Sequence, residues 1–189
     1  MKRRQALKKT AYLAPSFWAL PTVASFIQGC GKEIQAPEEL LVFDSKDLQL
    51  VSALADTILP KTTSPSASEV KVPQFLDLLL SEVFDDAYQN RFLQGLHEFD
   101  QSCEDARSQS FSKLEPQAQR EFLQEIDHQV FAESQDHPFY SGFKQLVVKI
   151  YYSSEEGVKQ NLNYRPVPGP FQGDVPLSSS DKVMTGNDM

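Results

Sequence analysis

An all-α fold is what this sequence predicts: a compact domain of about five or six helices, followed by an extended, proline-rich C-terminal arm. Three observations predict it. Apolar residues recur at three- and four-residue steps in successive segments, the spacing of one helical face. Prolines and short polar side chains fall where those segments begin and end. No period-2 apolar run of strand length occurs, nor any internal repeat or low-complexity tract.

The first helix is expected from Asp44 or Ser45 as N-cap, with Leu48, Val51, Leu54, Ala55 and Ile58 on its apolar face. Pro60 stops it, and residues 61–72 read as a loop. Pro73 suits a first helical position, and Phe75, Leu76, Leu79, Leu80 and Val83 follow on one side. After a break at Asp85-Asp86, residues 86–106 carry the stripe Phe92, Leu93, Leu96, Phe99 and Cys103. Gly95 inside that stripe is a mild cost or permits a close helix contact. Pro116 opens a helix bearing Ala118, Phe122, Ile126, Val130 and Phe131. Pro138 opens another, with Phe139, Phe143, Leu146, Val147 and Ile150 leading to Tyr151-Tyr152. Ser153 and Glu156 form the S-x-x-E pattern of a capping box for a short helix through Leu162. Residues 163–177 hold four prolines and two glycines, which forbids helix and predicts an extended arm. Residues 178–189 are polar and expected to fray.

The chain begins with an address. Met1 to Lys9 is basic, Thr10 to Gln28 is uncharged and apolar, and the stretch ends at Ile27-Gln28-Gly29-Cys30. Pro15 and Pro21 argue against a permanent transmembrane helix. Arg3-Arg4 resembles a twin-arginine signal, which routes cargo that folds before export, although Ala6 replaces the usual aromatic or Leu. Ile27 to Cys30 resembles a bacterial lipobox with an unusually bulky Gln28. Acylation at Cys30 would tether the domain to a membrane surface. The expected organisation is therefore signal 1–30, tether 31–43, helical domain 44–162, and arm with tail 163–189. Localisation is expected to be periplasmic and membrane-attached.

Charge excludes one class of function. Of 18 basic residues, five lie in the first thirty positions with no acidic residue among them. The remainder holds 13 basic against 26 acidic residues, a net of −13, so nucleic acid is not an expected partner.

No Gly-x-Gly-x-x-Gly follows a strand, no Cys-x-x-Cys-His could attach haem, and two cysteines cannot hold an iron–sulfur cluster. Glu125-Ile126-Asp127-His128 has the Glu-x-x-His step of di-iron bundles, but lacks the required second copy. A metal-dependent enzyme using Glu125 and His128 is the reading that this step leaves open. His97-Glu98-Phe99-Asp100 lacks the second His of a zinc motif, and His137 suits an N-cap or turn. No catalytic, cofactor-binding or metal-binding residue is assigned.

Several ordered stretches carry a resemblance to a known family. They are Arg3-Arg4 with the apolar signal, Leu54 to Pro60, Ser64 to Ala67, Val72 to Asp77, and Arg91 to Leu96. Tyr152 to Gly157, Leu162 to Tyr164 and Pro168-Gly169 complete the set. Together they are similar to the gluconate 2-dehydrogenase subunit 3 family. The resemblance implies a non-catalytic small subunit beside a large FAD-carrying dehydrogenase of the glucose-methanol-choline (GMC) type. That enzyme oxidises a sugar, sugar acid or polyol, often with a multihaem cytochrome c subunit. FAD and haem c would then reside in the partners, and the small subunit would assist export, folding and membrane attachment. The expected partner contacts are Tyr152, Tyr164, Arg165, Pro168 and Phe171, types favoured at interfaces or stiffened by proline. The alternative is a structural or ligand-binding lipoprotein without a dehydrogenase partner.

Overall fold

In a computed structural model of the chain, residues 39–132 and 137–164 are described, with 167, 170, 174, 182, 184 and 185 beyond them. All belong to one compact unit, residues 36–189. The described residues form six α-helices: α1 (Ser45–Ile58), α2 (Val72–Val83), α3 (Asp86–Arg107), α4 (Pro116–Phe131), α5 (Pro138–Tyr151) and α6 (Glu155–Asn161). A 3-10 turn at Phe111–Lys113 separates α3 from α4. Two short strands, β1 (Asn163–Tyr164) and β2 (Met184–Thr185), pair in parallel. The all-α prediction holds, and no described helix is long and apolar enough to cross a membrane.

Asp44 starts α1. Its carboxylate accepts the N–H groups of Lys46 (2.7 Å) and Asp47 (2.8 Å), while Asp47 accepts the Asp44 N–H at 3.2 Å. This reciprocal box satisfies donors that a helix start leaves unpaired. The Asp47 N–H, ahead of its other partners, holds the Asp44 carboxyl below its ordinary value of 3.8. A carboxyl depressed in the fold stabilises it above that ordinary value, and the contribution is lost as pH falls through the depressed one. Thermal scans at descending pH should therefore show a loss of Tm below about pH 3.8 that is smaller in Asp44→Asn, which caps without titrating.

The buried faces differ in register from the simplest stripe. In α1, Leu50, Val51, Leu54 and Ala55 are buried, whereas Leu48 is half-buried. In α2 the buried row is Val72, Pro73, Leu76, Asp77 and Leu80, and Val83 is 66% exposed. The cause is the start of α2: Lys71 is its N-cap in the left-handed region (φ 59°), so Val72 is already helical and Pro73 is the second residue. The buried row then runs from Val72 through Leu76 to Leu80, and Val83 turns outward.

The 3-10 turn was not legible beforehand. It buries Phe111 completely and is pinned by Asp100, which accepts the Phe111 N–H at 2.8 Å and the Ser110 hydroxyl at 3.0 Å. Gln119 closes the far side by donating to the Phe111 carbonyl at 2.9 Å.

The core lies where α2 packs on α1 and α5, and α3 packs on α5. Its centre is aromatic. Phe99 sits 5.7 Å from Phe122, 5.9 Å from Phe111 and 6.1 Å from Tyr140, ring centre to ring centre. Burying each such ring is worth about 1.5–3 kcal/mol. Gly95 supplies the close contact foreseen: a Cβ there would lie 2.7 Å from the Phe139 ring.

The N-terminal end of the domain is clasped rather than free. Asp77 is fully buried, and its carboxylate accepts the N–H groups of Leu41 (2.7 Å), Val42 (2.9 Å) and Phe43 (2.7 Å). Phe43 enters the core, 6.1 Å from Phe92. Residues 41–43, read from sequence as the end of a tether, are therefore part of the folded domain. The reason is the Asp77 side chain, whose buried oxygens need donors that α2 itself cannot supply.

Candidate partner-docking corner

Hydrogen bonds gather the loop after α1 and the end of α5 into one corner. The loop closes on itself, with the Ala67 N–H on the Leu59 carbonyl (3.1 Å) and the Val72 N–H on the Ala67 carbonyl (3.0 Å). Tyr151, the last residue of α5, is buried and donates its hydroxyl to the Pro65 carbonyl at 2.8 Å. The same hydroxyl accepts from Asn161 Nδ2 at 3.3 Å, tying α6 to the loop. Four of the stretches that carry the family resemblance thus meet here: Leu54–Pro60, Ser64–Ala67, Val72–Asp77 and Tyr152–Gly157.

The turn from α5 into α6 depends on Gly157. Ser154, not Ser153, is the N-cap: its hydroxyl accepts the Gly157 N–H at 3.0 Å and donates to the Tyr151 carbonyl at 2.7 Å. Ser153 is unavailable because its hydroxyl donates back to the Lys149 carbonyl at 2.7 Å. The expected Ser153–Glu156 box is therefore one residue out of register. Gly157 is buried, and a Cβ there would fall 2.1 Å from the Tyr151 carbonyl oxygen.

Of the expected contact residues, Tyr152 and Tyr164 are described. Tyr152 is 38% exposed beside Tyr151 (ring centres 5.4 Å apart, near perpendicular), and Tyr164 in β1 is 53% exposed. Val167 adds an apolar side chain that is 84% exposed. Arg165, Pro168 and Phe171 lie outside the described residues, as do Arg3, Arg4 and Cys30 of the N-terminal segment. Among the described residues of the tail, which was expected to fray, Met184 and Thr185 pair with Asn163 and Tyr164, and Lys182 donates to the Gln160 carbonyl at 2.6 Å. A two-residue pairing needs no apolar alternation, so no sequence period announced it.

Several other titratable groups have partners within the domain. Glu125 is paired with Arg107, and His97 Nε2 lies 2.7 Å from Asp47. His137 occupies the N-cap position of α5 without a side-chain capping bond; its Nε2 is 3.1 Å from Gln129. Among the described residues, no group of three or more His, Cys, Asp or Glu side chains converges as a metal site would require. Asp127 accepts from Lys144 (2.7 Å) and from the Tyr140 hydroxyl (2.9 Å). Burial, then that hydrogen bond, pushes the Tyr140 hydroxyl far above its ordinary value. Cys103 is buried and free, its thiol pushed up to about 11 mainly by burial, which makes it a poor nucleophile at neutral pH.

Sequence reasoning missed Asp77. The available signal was a single carboxylate inside the apolar run Phe75 to Leu80, which must find partners if that run is buried.

No curated protein and no solved structure matches the chain. A family model does match, over residues 45–169, which takes in all six helices and the start of the arm. The chain belongs to the family described as gluconate 2-dehydrogenase subunit 3.

Proposed function

We propose that this chain is the non-catalytic small subunit of a periplasmic, membrane-associated dehydrogenase whose large GMC-type subunit carries FAD. The observation that carries this reading is the family match across the whole helical domain, a family named for a dehydrogenase subunit. The exposed Tyr152, Tyr164 and Val167 on one stretch of chain support a docking role, because aromatic residues are enriched at interface centres. In this reading Tyr151, Ser154 and Gly157 hold the corner rigid, so that little ordering entropy is lost when the partner docks. The same docking role is proposed for Arg165, Pro168 and Phe171, as residue types favoured at interfaces or stiffened by proline.

The N-terminal segment completes the assignment. Arg3-Arg4 directs export of a folded complex, residues 31–40 act as the tether, and acylated Cys30 holds the assembly at the membrane. The flavin oxidises a sugar, sugar acid or polyol, and a cytochrome c subunit takes the electrons; this chain positions and escorts. Isolation from the native host tests the proposal. A flavoprotein should co-purify with the tagged chain, and repeated recovery as a lone monomer would contradict it.

A further inference from the structure

β1 is an edge that already accepts a strand. Its two residues, Asn163 and Tyr164, are both exposed, and Met184 and Thr185 of β2 lie beside them in parallel register. Lys182 adds a hydrogen bond to the Gln160 carbonyl, near the end of α6, at 2.6 Å. The tail thus binds through the backbone of residues 160–164 and leaves Tyr164 53% exposed.

This seating is weak. Each strand has two residues, well short of the usual length of about five or six. Residues 165–183 separate the strands, so pairing them costs conformational entropy that grows with the length of chain closed off. Lys182 is exposed, so water competes for its hydrogen bond. A longer strand from another chain, bonded along the same edge, would displace the tail.

The edge and its occupant also fall on opposite sides of a boundary. The family match, residues 45–169, takes in β1 and stops before β2. The edge therefore belongs to the domain named for a dehydrogenase subunit, and the tail seated on it does not. Exposed Tyr152 and Tyr164 belong to that same domain.

We propose that β1 is a strand-addition site for an extended segment of the flavoprotein dehydrogenase, and that the tail holds the site until that segment arrives. Main-chain donors and acceptors of the incoming strand replace those of Met184 and Thr185, and the Tyr164 side chain supplies apolar contact. The inference rests on the function proposed above and names how that docking corner is regulated.

The test recombines the full chain with its flavoprotein after the two are separated from a native-host preparation. The readouts are the apparent Kd and the Tm of the free chain. Beside the wild type stands Met184→Pro/Thr185→Pro, which keeps the full length and removes the N–H groups of β2. A third form, Asn163→Cys/Met184→Cys, joins register partners about 4.8 Å apart, within disulfide reach. Releasing the tail with proline should lower the apparent Kd about threefold or more, as when β1 is free in about a third of wild-type molecules or fewer. Tm should not change. The oxidised disulfide form should bind at least about tenfold more weakly than its reduced form.

An unchanged Kd in the proline variant overturns the proposal, and so does a raised one, which would make the tail part of the interface. A lowered Tm overturns it by making the tail a structural element of the domain. Equal affinities for the oxidised and reduced disulfide form overturn it too. So does a wild-type dimer that the proline variant dissociates, which would give the edge to the tail of a second copy. If the wild type binds no flavoprotein, the proposed function itself fails and this assignment falls with it; wild-type binding with unmoved Kd values sinks this assignment alone.

Discussion

Replacing Asp77 with alanine will destabilise the domain by about 4 kcal/mol, from removing the acceptor of three backbone N–H groups at roughly 1–3 kcal/mol for each one left unsatisfied. The carboxylate is fully buried, so water cannot take its place without opening the packing between residues 41–43 and α2. Asp77→Asn separates the contributions. Its remaining carbonyl oxygen can still serve Val42 and Phe43, which share Oδ1, while its amide presents a donor to the Leu41 N–H. The expected cost is about 1–2 kcal/mol, the loss of one buried hydrogen bond plus a donor–donor contact. Urea denaturation of the full chain reads both values. Hydrogen exchange should show the amides of residues 41–43 losing protection first. An alanine variant within 1 kcal/mol of wild type would show that these amides find other acceptors, with 1 kcal/mol being about one ordinary hydrogen bond.

Gly157→Ala will be the second large effect, costing about 3 kcal/mol, the upper part of the range for overpacking a buried site. The added methyl would sit 2.1 Å from the Tyr151 carbonyl oxygen, and that oxygen is fixed by two donors, the N–H and hydroxyl of Ser154. Relief requires moving α6, which carries β1 and Tyr164 with it. Flavoprotein recovery should therefore fall together with Tm. Thermal denaturation checks this; equal Tm values for Gly157→Ala and wild type would refute the close approach.

The fold was legible to the extent that it rests on local rules. Asp44, Asp85, Pro116 and Pro138 each mark a helix start within a residue, because caps and N-terminal prolines act through their own backbone neighbours. The stripe Phe92, Leu96, Phe99 and Cys103 was readable because one helix supplies it. What escaped was decided between distant segments. The 3-10 turn exists because Asp100 reaches forward eleven residues to the Phe111 N–H. Phe43 is core rather than tether because Asp77, 34 residues on, holds its backbone. Ser154 displaced Ser153 as a cap because Ser153 was already engaged by the end of α5. Of the expected docking residues, Tyr152 and Tyr164 could be chosen from chemistry and motif.

In the function proposed above, this chain escorts a redox enzyme and is not one itself. The measurement that bears on it most directly is a single preparation from the native host, followed by separation of the subunits. Absorbance, metal content and substrate turnover are then recorded for each fraction. The account predicts that flavin and turnover leave with the large subunit. The separated chain should carry less than about a tenth of an equivalent of iron, manganese or zinc. A separated chain that keeps flavin, haem or a stoichiometric metal and oxidises substrate unaided would contradict it.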